Sequence, residues 1–324
     1  MKGRCAISLA LLLALLAGQA CLDFRQEELY PISFRAVVSE STPLTRAANM
    51  TGEAELQASG FGVFGCYTGL HNYAESTVAP DFMYNQRLDW ISGHWEYAPL
   101  KYWPGEEGHH VSFFAYAPYS DGSNPCIPSC SRLQEAGDPW ILYRLSDDVA
   151  GQVDLLYAEP VLDCLRPAVG DKVGFNFKHA LACVGENVSV SSSSSGSGYE
   201  IRLKEVTIDY TLTAKAKLVL WNRGSANWNV IKSEDVVTTR SLSLLSSGNA
   251  PLPWTIGDKG VFCIPVEADG YPQKATIRIV YRVIYDDPAV PPVERSSTTE
   301  LLLKGLLQTG KTLDININLT NNSY

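Results

Sequence analysis

The sequence has no cluster of lysine or arginine, and its formal net charge is −9. Nucleic acid is therefore excluded as a partner, because phosphate binding demands a basic surface. Catalytic groupings are missing as well. Of the five histidines, His71, His94, His109, His110 and His179, none stands in a metal-binding spacing such as His-Glu-x-x-His. There is no Gly-x-Ser-x-Gly elbow and no phosphate-cradling glycine loop. The acidic doublets Glu27-Glu28, Glu106-Glu107 and Asp286-Asp287 are adjacent in sequence, and neighbours on a strand point apart, so they make poor acid–base partners. These absences point away from an enzyme, a metal site or a cofactor. His179 lies in an apolar run and reads as a satisfied core histidine, whereas His109-His110 follow a Pro-Gly turn and read as turn residues. Helical stripes are also scarce, and only short turns are expected, for example around Ser131 to Ala136.

The first twenty-one residues form a secretory leader. Lys2 and Arg4 precede an apolar run from Ala6 to Ala17, too short to span a bilayer comfortably, and Gly18-Gln19-Ala20-Cys21 gives a small-residue exit. Cys21 stands where a lipoprotein signal peptidase leaves a lipidated first residue. The usual leucine three positions earlier is replaced by Gly18, which with Ala20 also suits ordinary small-x-small cleavage. Lipidation of Cys21 is the expectation, with residues 1–20 as signal peptide and the mature chain outside the cytoplasm.

Six cysteines follow the leader: Cys66, Cys126, Cys130, Cys164, Cys183 and Cys263. An oxidising compartment allows pairing. Among the pairings, the local bridge Cys126–Cys130, across the Pro-containing stretch Cys126-Ile-Pro-Ser-Cys130, is the expected one. Their spacing matches no zinc signature.

Period-two patterning dominates the mature chain. Ile32, Phe34, Ala36 and Val38 alternate with Ser33, Arg35 and Val37, which places Arg35 within a strand. Leu313, Ile315, Ile317 and Leu319 alternate with Asp314, Asn316, Asn318 and Thr320, a strand with one buried and one wet face. Between these lie 61–64, 111–117, 173–177, 200–212, 217–221 and 275–285, β-branched or aromatic and separated by Gly, Pro, Asn or Ser. Many short strands without alternating helices indicate an all-β fold of antiparallel β-sandwiches. The length suits two domains. The junction is placed near Pro167, which divides the mature chain into an N-terminal β-sandwich over 21–167 and a C-terminal one over 168–324. The serine run from Ser191 to Ser195 reads as a hairpin loop.

Aromatic density peaks between Trp90 and Tyr119. Exposed rings there would suit stacking on sugars. Yet Phe113 and Ala115 oppose Phe114 and Tyr116 in parity, the pattern of a strand covered on both faces, so packing in the core is the expectation. Burial or exposure of Trp95, Tyr102 and Trp103 decides between the two.

Four blocks in order carry a family resemblance: Phe61-Gly-Val-Phe64, Tyr102-Trp-Pro104, Ser112-Phe-Phe-Ala-Tyr-Ala-Pro118 and Phe175-Asn-Phe-Lys-His-Ala-Leu181. From about Pro31 to the C-terminus the chain resembles the fimbrillin-like family of Bacteroidales, the subunits of type V pili. The resemblance implies two transthyretin-like β-sandwich domains in tandem, export as an outer-membrane lipoprotein, and polymerisation or capping of a surface fimbria with other fimbrial subunits. It further implies that an Arg-specific protease cuts after an arginine that follows the first strand, opening a groove for another subunit's strand. Here 31–39 resembles that first strand, and Arg46-Ala47, in a polar, Pro-containing segment, is the natural cut. The strand 312–320 is either the donor for the next subunit or the closing strand of its own sandwich; the second would suit a tip, anchor or accessory subunit. Host or bacterial surface ligands are compatible with such a role. A surface glycan-binding lipoprotein, with the Trp-rich region as platform, is the competing expectation.

Overall fold

Strands form where the alternating and β-branched runs lie, because each such run can bury one face and leave its backbone to pair with a neighbour. The computed structural model describes residues 29–39, 52–146, 148–168, 170–193, 198–221, 227–231, 236–268 and 270–319. Among these, Phe34–Val38, Phe61–Gly69, His110–Ala117, Val173–His179, Tyr199–Thr213, Lys215–Val219, Lys274–Tyr285 and Thr312–Leu319 are strands. All eight coincide with runs picked out above. The described chain is all-β, with one short helix, Glu53–Ser59, and two single 3-10 turns. Residues 131–136 make one turn, closed by the Glu135 N–H donating to the Arg132 carbonyl.

The largest sheet has eight strands. Its order runs from Phe34–Val38 at one edge through Val173–His179, Leu156–Ala158, His110–Ala117 and Phe61–Gly69 to Met83–Ile91 and His94–Glu96. Val161–Cys164 also pairs with His110–Ala117. A second sheet centres on Ala182–Ser192, which meets Trp254–Ile256, Val261–Cys263 and Thr312–Leu319. A third holds the long pair Tyr199–Thr213 and Lys274–Tyr285, flanked by Val237–Leu245 and Val293–Leu302. The fourth joins Trp140–Arg144 to Lys215–Val219.

Two details lie beyond what the patterning reveals. Pairing is antiparallel except where the first and last strands join: Phe34–Val38 runs parallel to Val173–His179, and Thr312–Leu319 runs parallel to Ala182–Ser192. Sheet membership changes between His179 and Ala182. Val173–His179, expected in the second half, belongs to the first sheet, and Trp140–Arg144 pairs with a strand of the second half. Composition carries no mark of this crossing, because the bend between the two strands is made by two apolar residues, Ala180 and Leu181, both fully buried. The crossing is pinned by hydrogen bonds: the Ala180 N–H donates to the Leu155 carbonyl (2.7 Å), and the Trp228 indole N–H donates to the Ala180 carbonyl (3.1 Å). Beside it, His179 and Asp154 form a buried pair at 2.7 Å.

The large sheet is covered on both faces. Phe61, Val63, Phe113, Ala115, Phe175 and Phe177 face one core with Leu56, Trp95 and Trp103. Phe64, Phe114 and Tyr116 face the other, shared with Ile141, Tyr143 and the second-half core around Val184 and Val188. Each large apolar side chain so buried contributes about 1.5–3 kcal/mol.

The six cysteines among the described residues are free thiols. Cys126 and Cys130, expected as a bridge, face different partners. The Cys126 thiol donates to the Gly151 carbonyl, and the Cys130 sulfur lies 4.0 Å from the Tyr84 hydroxyl. Burial, aided by the nearby Asp81 carboxylate, pushes the Cys66 thiol up to about 12 from an ordinary 9.0. Burial with the Asp163 charge pushes Cys164 up to about 11, and burial lifts Cys183 and Cys263 further. The unfolded chain therefore loses thiol protons first as pH climbs past 9, and stability falls from there to about 12. The urea midpoint is expected to drop between pH 8.5 and 11, and less so in a Cys66→Ala variant compared with its own value at pH 8.5; a midpoint that holds or rises would contradict this.

Candidate functional site

The first strand is the element whose placement bears on function, since it lies at a sheet edge and is tied to the body through a segment containing Arg46. Its alternation is realised: Ile32 and Phe34 are 1% and 2% exposed, whereas Val37 is 51% exposed. Phe34 is the anchor. Its ring stacks on Phe175 at 5.7 Å with an 8° interplanar angle, and meets Phe113 (5.7 Å) and Tyr97 (5.6 Å) edge-on. Trp103 closes the aromatic floor by contacting Phe113 at 5.8 Å.

The backbone is held from two sides. On one, the Val173 N–H donates to the Ser33 carbonyl (2.8 Å) and the Ser39 N–H to the Phe177 carbonyl (2.8 Å), bracketing the parallel register Phe34↔Val173 to Val38↔Phe177. On the other, the Ile32 N–H donates to the Lys101 carbonyl and the Trp103 N–H to the Tyr30 carbonyl, both at 2.9 Å. The Tyr97 hydroxyl donates to the Ile32 carbonyl at 2.8 Å. At the entry, the Arg166 guanidinium sits 4.9 Å from the centre of the Tyr30 ring.

Arg35 lies within the strand, as expected, but its side chain is exposed. It extends over Gly174, where a Cβ would come 2.8 Å from Arg35 Nε, so glycine makes room for the arginine. Cys21, Arg46 and Ala47 lie outside the described residues.

At the other end of the chain, Thr312–Leu319 is seated on its own Ala182–Ser192 strand, with Ile315 and Leu319 inward. A polar ladder fixes its outer face: Asn187 Nδ2 donates to Asp314 Oδ1 (3.1 Å), and the Ser189 hydroxyl donates to Asn316 Oδ1 (2.6 Å). Sequence reasoning found both terminal strands. It missed the partners that seat them, Tyr97 and Gly174 above all, for which the only local signal was a glycine inside a strand pattern.

The aromatic region is core, not platform. Trp95 and Trp103 are 7% and 8% exposed, and of the three deciding rings only Tyr102, at 38%, faces solvent. Among the described residues no group of three or more His, Cys, Asp or Glu side chains could hold a metal ion, and no helix is long and apolar enough to cross a membrane.

Truncating the anchor tests the seat. Phe34→Ala removes a stacked and two edge-on ring contacts and is expected to cost about 3–5 kcal/mol in chemical denaturation, while Val37→Ala, on the exposed side, should change stability by less than about 0.5 kcal/mol. Equal effects would contradict the assignment of faces.

Comparison with known proteins places this architecture. A family model described as fimbrillin-like matches residues 45–244. Fimbrium subunit Fim1C of Phocaeicola vulgatus is 26% identical over 247 residues, which span 70% of this chain and 62% of that protein's length. In fold, the crystal structure of a fimbrial protein from Bacteroides vulgatus matches with a TM-score of 0.64 at 20% identity, covering 89% of this chain and 95% of that one. With a matched region of this extent and a shared all-β architecture, the chain belongs to the fimbrillin-like family.

Proposed function

We propose that the protein is a structural and adhesive subunit of a surface fimbria, not an enzyme. In this reading it is exported as an outer-membrane lipoprotein through Cys21, and cleavage between Arg46 and Ala47 frees it to assemble with other fimbrial subunits by strand exchange. The observation that carries the reading is the placement of the first strand: an edge strand with two buried anchors, Ile32 and Phe34, joined to the body only through the segment that contains Arg46.

The cut alters no contact of the seated strand. It does convert an intramolecular contact into a bimolecular one, which removes the high effective concentration that keeps the strand in place. Once the strand leaves, Phe113, Phe175, Tyr97 and Trp103 line an open apolar groove. The outer backbone edge of Val173–His179 then lacks partners, and such an edge is a template for a strand from another chain.

The arginines support the choice of site. Among the described residues every arginine lies within a strand except Arg132 and Arg166, and paired strands resist the local opening that proteolysis needs. Arg166 precedes Pro167, whose ring disfavours cleavage of that bond. Arg132 is left as the described competitor. The self-seated strand Thr312–Leu319 supports a terminal position, as tip, anchor or accessory subunit, since its own sheet already uses it.

Incubation of the purified precursor with an Arg-specific protease should yield a new N-terminus at Ala47, and an Arg46→Ala variant should stay intact and fail to assemble with other fimbrial subunits. A new N-terminus at any other position, or none, would overturn the processing step.

A further inference from the structure

On the face of the large sheet opposite Phe34, the structure has a concave site with a volume of 430 Å³, lined by Tyr84, Asn85, Tyr116, Tyr119, Asp121 and Ser129, among others. This volume lies in the range of small-molecule sites, roughly 300–1,000 Å³. Its base is rigid. The Tyr116 hydroxyl lies 2.8 Å from Asn85 Oδ1 and 3.0 Å from the Ser120 carbonyl, and Asn85 Nδ2 donates to that carbonyl at 2.9 Å. These contacts hold Asn85 at φ +40, in the left-handed region that asparagine enters more readily than other non-glycine residues. Gly62 leaves the space that Tyr116 needs: a Cβ there would lie 2.5 Å from the tyrosine ring. The opposing loop is closed by the Ser120 hydroxyl, which donates to the Ile127 carbonyl (2.7 Å) and accepts the Gly122 N–H (3.0 Å). The site is therefore formed before any ligand arrives.

Its unused chemistry is specific. Tyr84 is 37% exposed and Tyr119 is half-buried, with the Arg87 guanidinium 5.2 Å from the Tyr119 ring centre. Neither the Tyr119 nor the Ser129 hydroxyl has a hydrogen-bond partner among the described residues, and Asp121 presents an exposed carboxylate at the rim. No cationic side chain lines the site. A single carboxylate on a chain of net charge −9 disfavours an anionic ligand. Aromatic rings, the two unpartnered hydroxyls and the Asp121 carboxylate, whose Oδ1 also accepts the Ser123 N–H at 3.0 Å, match a ligand with C–H faces and many hydroxyls.

We propose that this cavity binds a neutral saccharide, one pyranose ring lying against the tyrosine walls with its hydroxyls bonded to Tyr119, Asp121 and Ser129. The site is separate from the seat of the first strand, and the proposal does not depend on how the protein assembles.

Saturation-transfer NMR on the full chain, with methyl glycosides of galactose, mannose, fucose and N-acetylglucosamine as probes and choline as the cationic control, tests it. At least one glycoside should receive saturation. The double variant Asp121→Asn, Ser129→Ala and the single variant Tyr119→Phe, both at solvent-accessible positions, should weaken that binding at least tenfold with unchanged melting temperature. Absence of transfer to all four glycosides, transfer to choline alone, or binding that survives both variants would overturn the proposal.

Discussion

One continuous segment, from Val173 to Ser192, pairs with both the first and the last described strand. Its first part pairs in parallel with Phe34–Val38, its second in parallel with Thr312–Leu319, and between them the backbone crosses from one sheet to the other at Ala180-Leu181. Parallel pairing of such distant segments needs long connections, so most of the remaining chain is routed to satisfy these two ladders. Buried hydrogen bonds to Leu155 and Trp228 fix the crossing, and the His179–Asp154 pair lies beside it. The two sheets are thereby held to one backbone.

The two seats differ in character. The first strand depends on apolar anchoring, above all the Phe34 ring among Phe113, Phe175 and Tyr97; its outer face carries Arg35 and Val37, with a polar side-chain contact at each end, from the Ser33 hydroxyl to the Asp171 carbonyl and from the Ser39 hydroxyl to Asn176 Oδ1. The last strand adds a ladder of Asn, Asp and Ser contacts along its solvent side. An apolar seat accepts many strands with the right alternation, whereas a polar ladder selects one register. That difference is the physical basis for regarding the first strand as exchangeable and the last as resident.

Strand positions were legible in the sequence because alternation is a local property. The runs at 111–117 and 313–319 show directly which residues turn inward, and His179 could be read as a core residue from its apolar flanks. Partner and direction were not legible, because a strand's alternation is the same whether its neighbour runs parallel or antiparallel. The crossing between sheets left no local signal for a related reason, since its bend is made of Ala180 and Leu181, with no Gly or Pro to mark it. The helix Glu53–Ser59 is too short to display a stripe; its one cue was Glu55, whose carboxylate accepts the Gly52 N–H at 2.9 Å. The proposed saccharide site was likewise hidden, being built from Asn85, a loop near Ser120 and the short strand at Ser129 that meet only in the fold.

The account rests on the first strand being replaceable without loss of the remaining fold. Hydrogen–deuterium exchange of the Arg-cleaved protein, with and without a synthetic peptide of residues 29–39, tests this most directly. Fast exchange is predicted across Val173–His179 in the cleaved protein alone, with protection restored by the peptide but not by its Phe34→Ala version, while Tyr199–Thr213 and Lys274–Tyr285 stay protected throughout. Unchanged protection at Val173–His179, or loss of protection across all the sheets, would contradict it.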